Sequence, residues 1–154
     1  MEIRKAKLKE VSQVADLGVE MIKYHHKLDT YESPSKNIKQ VYKDYLKKTI
    51  YSSTKILLVA VDGGKVVGYA LSSTRLRPPV FKDRKMGFID DIFFIEKYRG
   101  KNFAGIFLKM LFKWFKEKGI HNIELTVHDK NELAKKAWKK YGFETYLYRL
   151  KKRI

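Results

Sequence analysis

Residues 88–110, FIDDIFFIEKYRGKNFAGIFLKM, join two apolar runs through a basic turn that contains glycine. The first run, Phe88–Ile95, is apolar over most of its length, which is typical of a central strand covered on both faces. The second run, Ala104–Lys118, has apolar residues at helical spacing and stops at Gly119. The stretch therefore predicts a central strand that turns sharply into a helix.

The rest of the chain supplies further strands and helices. Strands are predicted at Glu2–Ala6, Lys55–Val61, Lys65–Ser73, Phe88–Ile95, Ile120–Val127 and Phe143–Leu150, and helices at residues 8–26, 38–49, 104–118 and 131–141. Asp62-Gly63-Gly64 predicts a hairpin between the second and third strands. The order β-α-α-β-β-β-α-β-α-β predicts an α/β fold, with helices on both faces of a mixed central sheet.

Length and composition indicate one globular domain over residues 1–154, since 44% of the residues are hydrophobic and 14% aromatic. The absence of cysteine excludes disulfides, thiolate metal sites and a catalytic cysteine. The N-terminus lacks the apolar core of a signal peptide, and no apolar run approaches the roughly 20 residues that span a bilayer. We therefore expect a cytoplasmic protein without a membrane partner.

The formal net charge of +17 favours contact with polyanions, such as nucleic acid or phosphate-rich small molecules. The lysines are nevertheless spread along the whole chain instead of forming one basic block. Such a distribution also fits a general role in solubility. The charge alone leaves both interpretations open.

The turn Arg99–Gly105 has the features of an anion site. A chain that leaves a strand and enters a helix presents unpaired N–H groups, and the helix dipole favours negative charge there. Small residues let a pyrophosphate approach the backbone, while Arg99 and Lys101 add positive charge. A structural turn with a solvated basic rim has a similar composition. The nucleotide P-loop pattern is absent.

This turn resembles motif A of the GNAT N-acetyltransferase superfamily, R/Q-x-x-G-x-G/A, which holds the pyrophosphate of acetyl-CoA. The motif here reads Arg99-Gly100-Lys101-Asn102-Phe103-Ala104, with Asn102 in place of the first glycine. Asparagine tolerates left-handed backbone angles better than most residues and keeps its N–H. The resemblance therefore implies that the site is retained.

A second stretch, Asn131–Phe143, resembles motif B of the same family, N-x-x-A-x-x-(apolar)-Y-x-x-x-G-F. The resemblance implies that Asn131 binds the pantetheine arm of acetyl-CoA and that the backbone of Ile92–Phe94 pairs with it. A capped amphipathic helix ending at Gly142 needs no cofactor, but two motifs in family order favour the enzyme. The implied acetyl-CoA site, which contains no metal, comprises Ile92, Phe93, Phe94, Arg99, Gly100, Lys101, Asn102, Phe103, Ala104, Gly105, Asn131, Ala134 and Trp138.

Trp138 departs from the family, which usually has a tyrosine there to protonate the departing thiolate. An indole cannot supply that proton. The leaving thiol has a pKa of about 8.5 and departs tolerably without help. Tyr141, one turn further along the helix, is a candidate acid, and an enzyme without a side-chain acid is the alternative.

Asp90 and Asp91 interrupt the apolar strand, and aspartate is both a poor strand former and costly to bury. One of them is predicted to bind a cationic amine or to accept its proton, whereas a solvated strand entrance is the structural alternative. Since adjacent strand residues face opposite sides, only one is expected at the site. The pair is similar to a local segment of spermidine/spermine acetyltransferases, and Tyr24 in residues 22–33 is similar to the aromatic and acidic stretch after their first helix. This resemblance implies that Tyr24, like Asp90 and Asp91, is a candidate substrate residue.

The function that the resemblance implies is acetyl transfer from acetyl-CoA to a primary amine by direct attack. A small-molecule amine such as a polyamine or diamine is the favoured partner. A protein lysine or N-terminal amine is the alternative, and a catalytically weak nucleic-acid-binding module on the same fold is an alternative of another class. The oligomeric state is open, with a homodimer among the options.

Overall fold

The computed structural model describes residues 1–154, which fold around one five-stranded sheet. The strands are β1 (Glu2–Lys5), β2 (Lys55–Asp62), β3 (Lys65–Leu76), β4 (Lys85–Phe94) and β5 (Ile123–Leu125), and the helices are α1 (Val11–Leu28), α2 (Ile38–Ile50), α3 (Phe103–Glu117) and α4 (Glu132–Lys140). The α/β class and the order of elements up to α4 are confirmed.

The strands follow one another across the sheet in the order β1-β2-β3-β4-β5. The first four are antiparallel to their neighbours, whereas β5 pairs with β4 in parallel. Gly63 and Gly64 join β2 to β3 with φ angles of 53° and 77°. Two successive left-handed residues form the hairpin turn that suits the strand twist, as the sequence predicts.

Helices cover both faces of the sheet. α1 and α2 pack on one face, here the α1/α2 face, through a core that includes Val14 and Leu46. α3 packs on the other, the α3/α4 face, through Phe107 and Phe115, and Trp138 of α4 joins its edge. β2 serves both cores because its side chains alternate between the two faces. None of the helices has the length and hydrophobicity needed to cross a bilayer.

The predicted last strand, Phe143–Leu150, does not form, which corrects the final element of the predicted order. Phe143 packs its ring against Trp138, but residues 144–154 make no backbone hydrogen bond. The physical reason lies in β5, which occupies only Ile123–Leu125 instead of the predicted residues 120–127. So short an edge offers few hydrogen bonds against an ordering cost of about 1–2 kcal/mol per residue.

Candidate functional site

The sheet opens between β4 and β5. Their parallel pairing joins Gly87–Ile89 to Ile123–Leu125 and goes no further. β4 continues to Phe94, whereas β5 ends at Leu125. The two strands therefore part after Ile89, and the remainder of β4 has a free edge.

Backbone alternation along β4 shows which groups this free edge presents. The N–H of Ile95 donates to the carbonyl of Val67 on β3 over 3.0 Å. Because an antiparallel ladder alternates its donors between the two sides, the N–H groups of Ile92 and Phe94 point away from β3. They face the opening, where β5 no longer supplies a partner.

The turn after β4 presents a run of unpaired donors. The N–H groups of residues 100–104 donate to no backbone carbonyl. Gly100 has a φ of 73°, and a Cβ there would meet no atom within 4 Å, so the space above the turn is open. Successive free N–H groups at a helix N-terminus form an anion-binding concavity. The turn thus has the geometry that the sequence predicts for an anion site.

Two side chains tie this turn to the sheet. The hydroxyl of Tyr98 donates to Asp62 at the end of β2 over 2.6 Å. Arg99 folds back so that its Nε donates to the carbonyl of Phe94 over 2.7 Å. That carbonyl is therefore occupied, while the N–H of Phe94 remains free. The charge of Arg99 lies closer to the end of β4 than the sequence suggests.

α4, the helix of the motif B segment, has its C-terminal end beside the turn Arg99–Gly105. Asn131 caps α4, since its Oδ1 accepts a hydrogen bond from the N–H of Ala134 over 3.1 Å, and its amide NH₂ is left as a donor. The Trp138 ring packs edge-on against Phe143 with centroids 5.4 Å apart. The Tyr141 hydroxyl donates to Asn102 over 3.0 Å, at the turn. The tyrosine proposed as an acid thus lies beside the anion site.

The acidic pair lies on one face of the sheet, contrary to the expectation of opposite faces. Asp91 lies opposite Leu71 and Ile89 opposite Ser72, so Asp90 is an extra residue in β4. A β-bulge of this kind breaks the alternation of side chains. Side chains alternate strictly between the two faces only in a strand without a bulge. The sequence alone therefore did not predict that both aspartates share a face.

The contacts of Asp90 and Asp91 show which face of the sheet the two carboxylates occupy. Asp90 binds the guanidinium of Arg75 over 2.7 Å, and Asp91 accepts a hydrogen bond from Tyr42 of α2 over 2.7 Å. Arg75 and Tyr69 lie an even number of residues apart on β3, so they share a face. The Tyr69 hydroxyl is 3.3 Å from that of Tyr42, which places it with Asp91. Both carboxylates therefore lie on the α1/α2 face.

Burial raises the pKa of the Asp91 carboxyl group. Its pKa is raised to about 6, chiefly by desolvation and further by the negative charge of Asp90, although the hydrogen bond from Tyr42 opposes the shift. Desolvation beside Asp91 also raises the pKa of Tyr42 and Tyr69 far above the usual range, so both phenols remain donors at neutral pH. Asp91 is thus a carboxylate able to exchange a proton near pH 6.

Asp90 has an unused oxygen. Its Oδ1 binds Arg75, but its Oδ2 is buried and has no hydrogen-bond partner. Buried carboxylate oxygens in proteins are nearly always paired, so an unpaired one marks a place for a missing donor. The ammonium group of a substrate is a donor of the right charge.

The sequence predicts Tyr24 near the substrate, but other tyrosines lie beside the acidic pair. Tyr24 is 39% exposed, packs near His25 with ring centroids 6.0 Å apart, and has no hydrogen bond to the acidic pair. Tyr42, which bonds to Asp91, and Tyr69, which lies beside both, are not predicted from the sequence. The sequence feature that could have identified them is a tyrosine on the buried face of a helix or strand, because a buried phenol hydroxyl requires a hydrogen-bond partner. No group of three or more histidine or acidic side chains is arranged to hold a metal ion.

Gly18 of α1 allows Tyr42 to reach Asp91. A Cβ at Gly18 would lie 2.0 Å from Cε1 of the Tyr42 ring. We expect Gly18→Ala to lower the free energy of unfolding by about 1–3 kcal/mol, because the clash exceeds the gain in helix propensity of about 1 kcal/mol. Urea unfolding measures the change.

The control is the same substitution in a Tyr42→Ala background. With the ring removed, Gly18→Ala should stabilise the protein by up to about 1 kcal/mol through helix propensity. An equal loss in both backgrounds would show that Tyr42 is not what the glycine accommodates.

Comparison with known proteins decides the family of this chain. The Acetyltransferase (GNAT) family matches residues 20–143, which include the free edge of β4, the turn and α4. The chain belongs to the GNAT acetyltransferase family. The N-acetyltransferase activity and the motif resemblance that the sequence predicted are thereby confirmed. Among curated proteins, none matches the chain in sequence.

Solved structures share the GNAT fold along the whole chain. A tetramutant of the BH1408 protein from Bacillus halodurans has a TM-score of 0.88 at 24% identity, covering 100% of both chains. A predicted acetyltransferase with acetyl-CoA from Clostridium acetobutylicum has a TM-score of 0.77 at 22% identity, covering 99% of this chain and 95% of that one.

A third similar structure is aminoglycoside N-acetyltransferase AAC(6')-Iy in complex with CoA. Its TM-score is 0.74 at 15% identity, and the match covers 99% of this chain and 100% of that one. At these identities the likeness concerns the fold. It confirms the mixed sheet with helices on both faces.

Proposed function

We propose that this GNAT protein transfers the acetyl group of acetyl-CoA to a primary amine that is held by Asp90 and Asp91. The observation that carries the proposal is the parting of β4 from β5 after Ile89. The free edge beyond that point leads from the acidic pair to the unpaired N–H groups of the turn. Groups suited to bind the acceptor amine and groups suited to bind acetyl-CoA therefore lie along β4 and the turn that follows it.

The residues on the turn side fit acetyl-CoA, which supplies an acetyl thioester as the group to be transferred. The free N–H groups of residues 100–104 suit a pyrophosphate, because they are donors at a positive helix end. The free N–H groups of Ile92 and Phe94 suit a pantetheine amide, and that of Phe94 is the candidate donor to an oxyanion. The amide NH₂ of Asn131 is a further unpaired donor, which the family resemblance assigns to the pantetheine arm.

On the acceptor side, an ammonium must lose a proton before its nitrogen can attack. An alkyl ammonium has a pKa of about 10, so transfer to a carboxylate of pKa about 6 is uphill by about 5 kcal/mol. A turnover of about 10 per second corresponds to a total barrier of about 16 kcal/mol. Asp91 can therefore act as the base within an ordinary enzymatic barrier, while the unpaired oxygen of Asp90 binds the ammonium.

The departing thiolate needs little help. A thiol of pKa about 8.5 is a tolerable leaving group at neutral pH. Trp138 cannot donate a proton, and its ring is packed against Phe143. The proposed reaction therefore operates without a side-chain acid: the amine nitrogen bonds to the acetyl carbon, the carbon–sulfur bond breaks, and sulfur keeps the electron pair. The nitrogen then loses its second proton to give the neutral amide, and the departed thiolate takes up that proton.

A diamine or polyamine is the acceptor class that the acidic pair favours. Two carboxylates on one face offer one charge to the reacting ammonium and one to orient it, although Arg75 already offsets part of the charge of Asp90. A lysine side chain presents the same ammonium and remains the alternative. The AAC(6')-Iy structure with a bisubstrate analogue of CoA and acetylneamine suggests adding an aminoglycoside to the candidates.

The test is an acetyl-transfer assay on the purified protein. Acetyl-CoA is mixed with putrescine, spermidine, an aminoglycoside or a lysine peptide, and the released thiol is followed over time. We expect amine-dependent thiol release with at least one polycationic small amine, above the hydrolysis seen without amine. Transfer to the peptide alone would favour the alternative acceptor, and thiol release independent of every amine would contradict the proposal.

A further inference from the structure

Asn102 has a strained backbone for a residue with a side chain. It is the only non-glycine residue with a positive φ, at φ 60° and ψ 15°, and it stands at the N-cap of α3. The left-handed region is unfavourable for residues with a Cβ, and asparagine only reduces the penalty. An asparagine N-cap usually bonds to its own helix, but this side chain makes no such bond.

The side chain of Asn102 is held instead by a hydrogen bond from Tyr141 and fits into space beside Gly105. The Tyr141 hydroxyl, just beyond α4, donates to Asn102 Oδ1 over 3.0 Å. Gly105, in the first turn of α3, leaves room for it, since a Cβ there would lie 3.0 Å from the same Oδ1. The bond joins the end of α4 to the start of α3 across the turn.

The conformation of Asn102 determines where the free donors point. A left-handed residue followed by the right-handed Phe103 makes successive N–H groups converge into an anion-binding nest. The N–H groups of residues 102–104 belong to this nest, and they donate to no backbone carbonyl. Loss of the left-handed conformation at residue 102 would splay these donors apart.

We propose that Tyr141 is a positioning residue for the pyrophosphate of acetyl-CoA, acting through Asn102, and is not the proton donor to the leaving thiolate. The inference rests on the proposed function, because it assumes that the turn binds acetyl-CoA. Tyr141 donates its hydroxyl hydrogen to Asn102, and that bond stabilises the left-handed turn. The left-handed conformation then keeps the N–H groups of residues 102–104 converged even when no anion is bound.

The first test is Tyr141→Phe, which removes the hydroxyl and keeps the ring. We expect the dissociation constant of CoA, measured by calorimetry, to rise by about threefold to tenfold, the range expected for one hydrogen bond. Turnover at saturating acetyl-CoA should stay unchanged. Affinity for inorganic pyrophosphate, followed by NMR titration, should fall by the same factor, because the nest contacts that group alone.

A double-mutant cycle with Asn102→Gly makes the test specific. Glycine adopts left-handed angles without strain, so Tyr141→Phe should have no effect on CoA affinity in the Asn102→Gly background. Gly105→Ala should reproduce the loss seen in Tyr141→Phe, because its Cβ displaces the Asn102 side chain. Tyr51→Phe, at a tyrosine that is 76% exposed, is the matched control and should change nothing.

The outcomes separate the inference from the proposed function. Wild-type protein that does not bind CoA would overturn the proposed function itself. Normal wild-type binding with unchanged affinity in Tyr141→Phe would overturn the inference alone. So would a loss of turnover at saturating acetyl-CoA with intact affinity, since that is the behaviour of a proton donor, or an equal loss in both members of the cycle.

Discussion

Ala104→Glu is expected to weaken the binding of acetyl-CoA by at least about 100-fold, or about 2.8 kcal/mol. Ala104 is half-buried in the first turn of α3, and its N–H is one of the unpaired donors of the turn. A carboxylate there faces a pyrophosphate at close range. Two like charges 4 Å apart near a protein surface repel by about 4 kcal/mol, so even partial solvent screening leaves a large loss.

Calorimetry with CoA measures this prediction, and Ala137→Glu is its matched control. Ala137 is an exposed alanine on α4, so the control adds the same side chain and charge away from the turn. Urea unfolding of both variants separates a local charge effect from a folding defect. Equal CoA affinity in wild type and in a stably folded Ala104→Glu variant would place the pyrophosphate elsewhere.

Asp91→Asn is expected to lower turnover by about 10²–10⁴-fold, the usual loss when a general base is removed. CoA affinity should be unaffected, because the carboxylate lies on the α1/α2 face, away from the turn. Asp90→Asn should chiefly raise the KM for a cationic amine, since it removes the charge that binds the ammonium. Steady-state kinetics with each amine accepted by the wild type distinguishes the two effects.

The pH profile gives a second measure of Asp91. Its pKa is raised to about 6, so the basic form accumulates as the pH rises through 6. Wild-type activity should therefore rise up to about pH 6 and then level off. In Asp91→Asn the residual activity should keep rising with pH, because it depends on the free amine, which accumulates up to its own pKa of about 10.

Stability provides the control for both aspartates. A folded-state pKa above the ordinary value means that ionised Asp91 costs folding stability, so stability falls as the pH rises from about 4 to about 6. Asp91→Asn removes that cost and keeps an oxygen for Tyr42, so it should not destabilise the protein at pH 7. Asp44→Asn, at a half-exposed carboxylate on α2, should leave kinetics unchanged. Wild-type kinetics in both Asp90→Asn and Asp91→Asn would refute the acidic-pair site.

The sequence by itself determined the local elements of this protein. The apolar run of β4, the helical spacing of α3 and the hairpin at Gly63-Gly64 all occur where the pattern predicts them. The left-handed backbone of Asn102 also agrees with its residue type. These features follow from the period of apolar residues and from the φ and ψ angles open to each residue, which neighbours in the sequence largely set.

The tertiary structure decided how the site is assembled. The bulge at Asp90 depends on how β4 meets β3, and it moved both carboxylates to one face against the period of the strand. The contacts of Tyr42 with Asp91 and of Tyr141 with Asn102 join residues far apart in the chain. The segment 143–150 has a strand-like composition but forms no strand, because a strand forms only where a neighbouring edge is long enough to bond it.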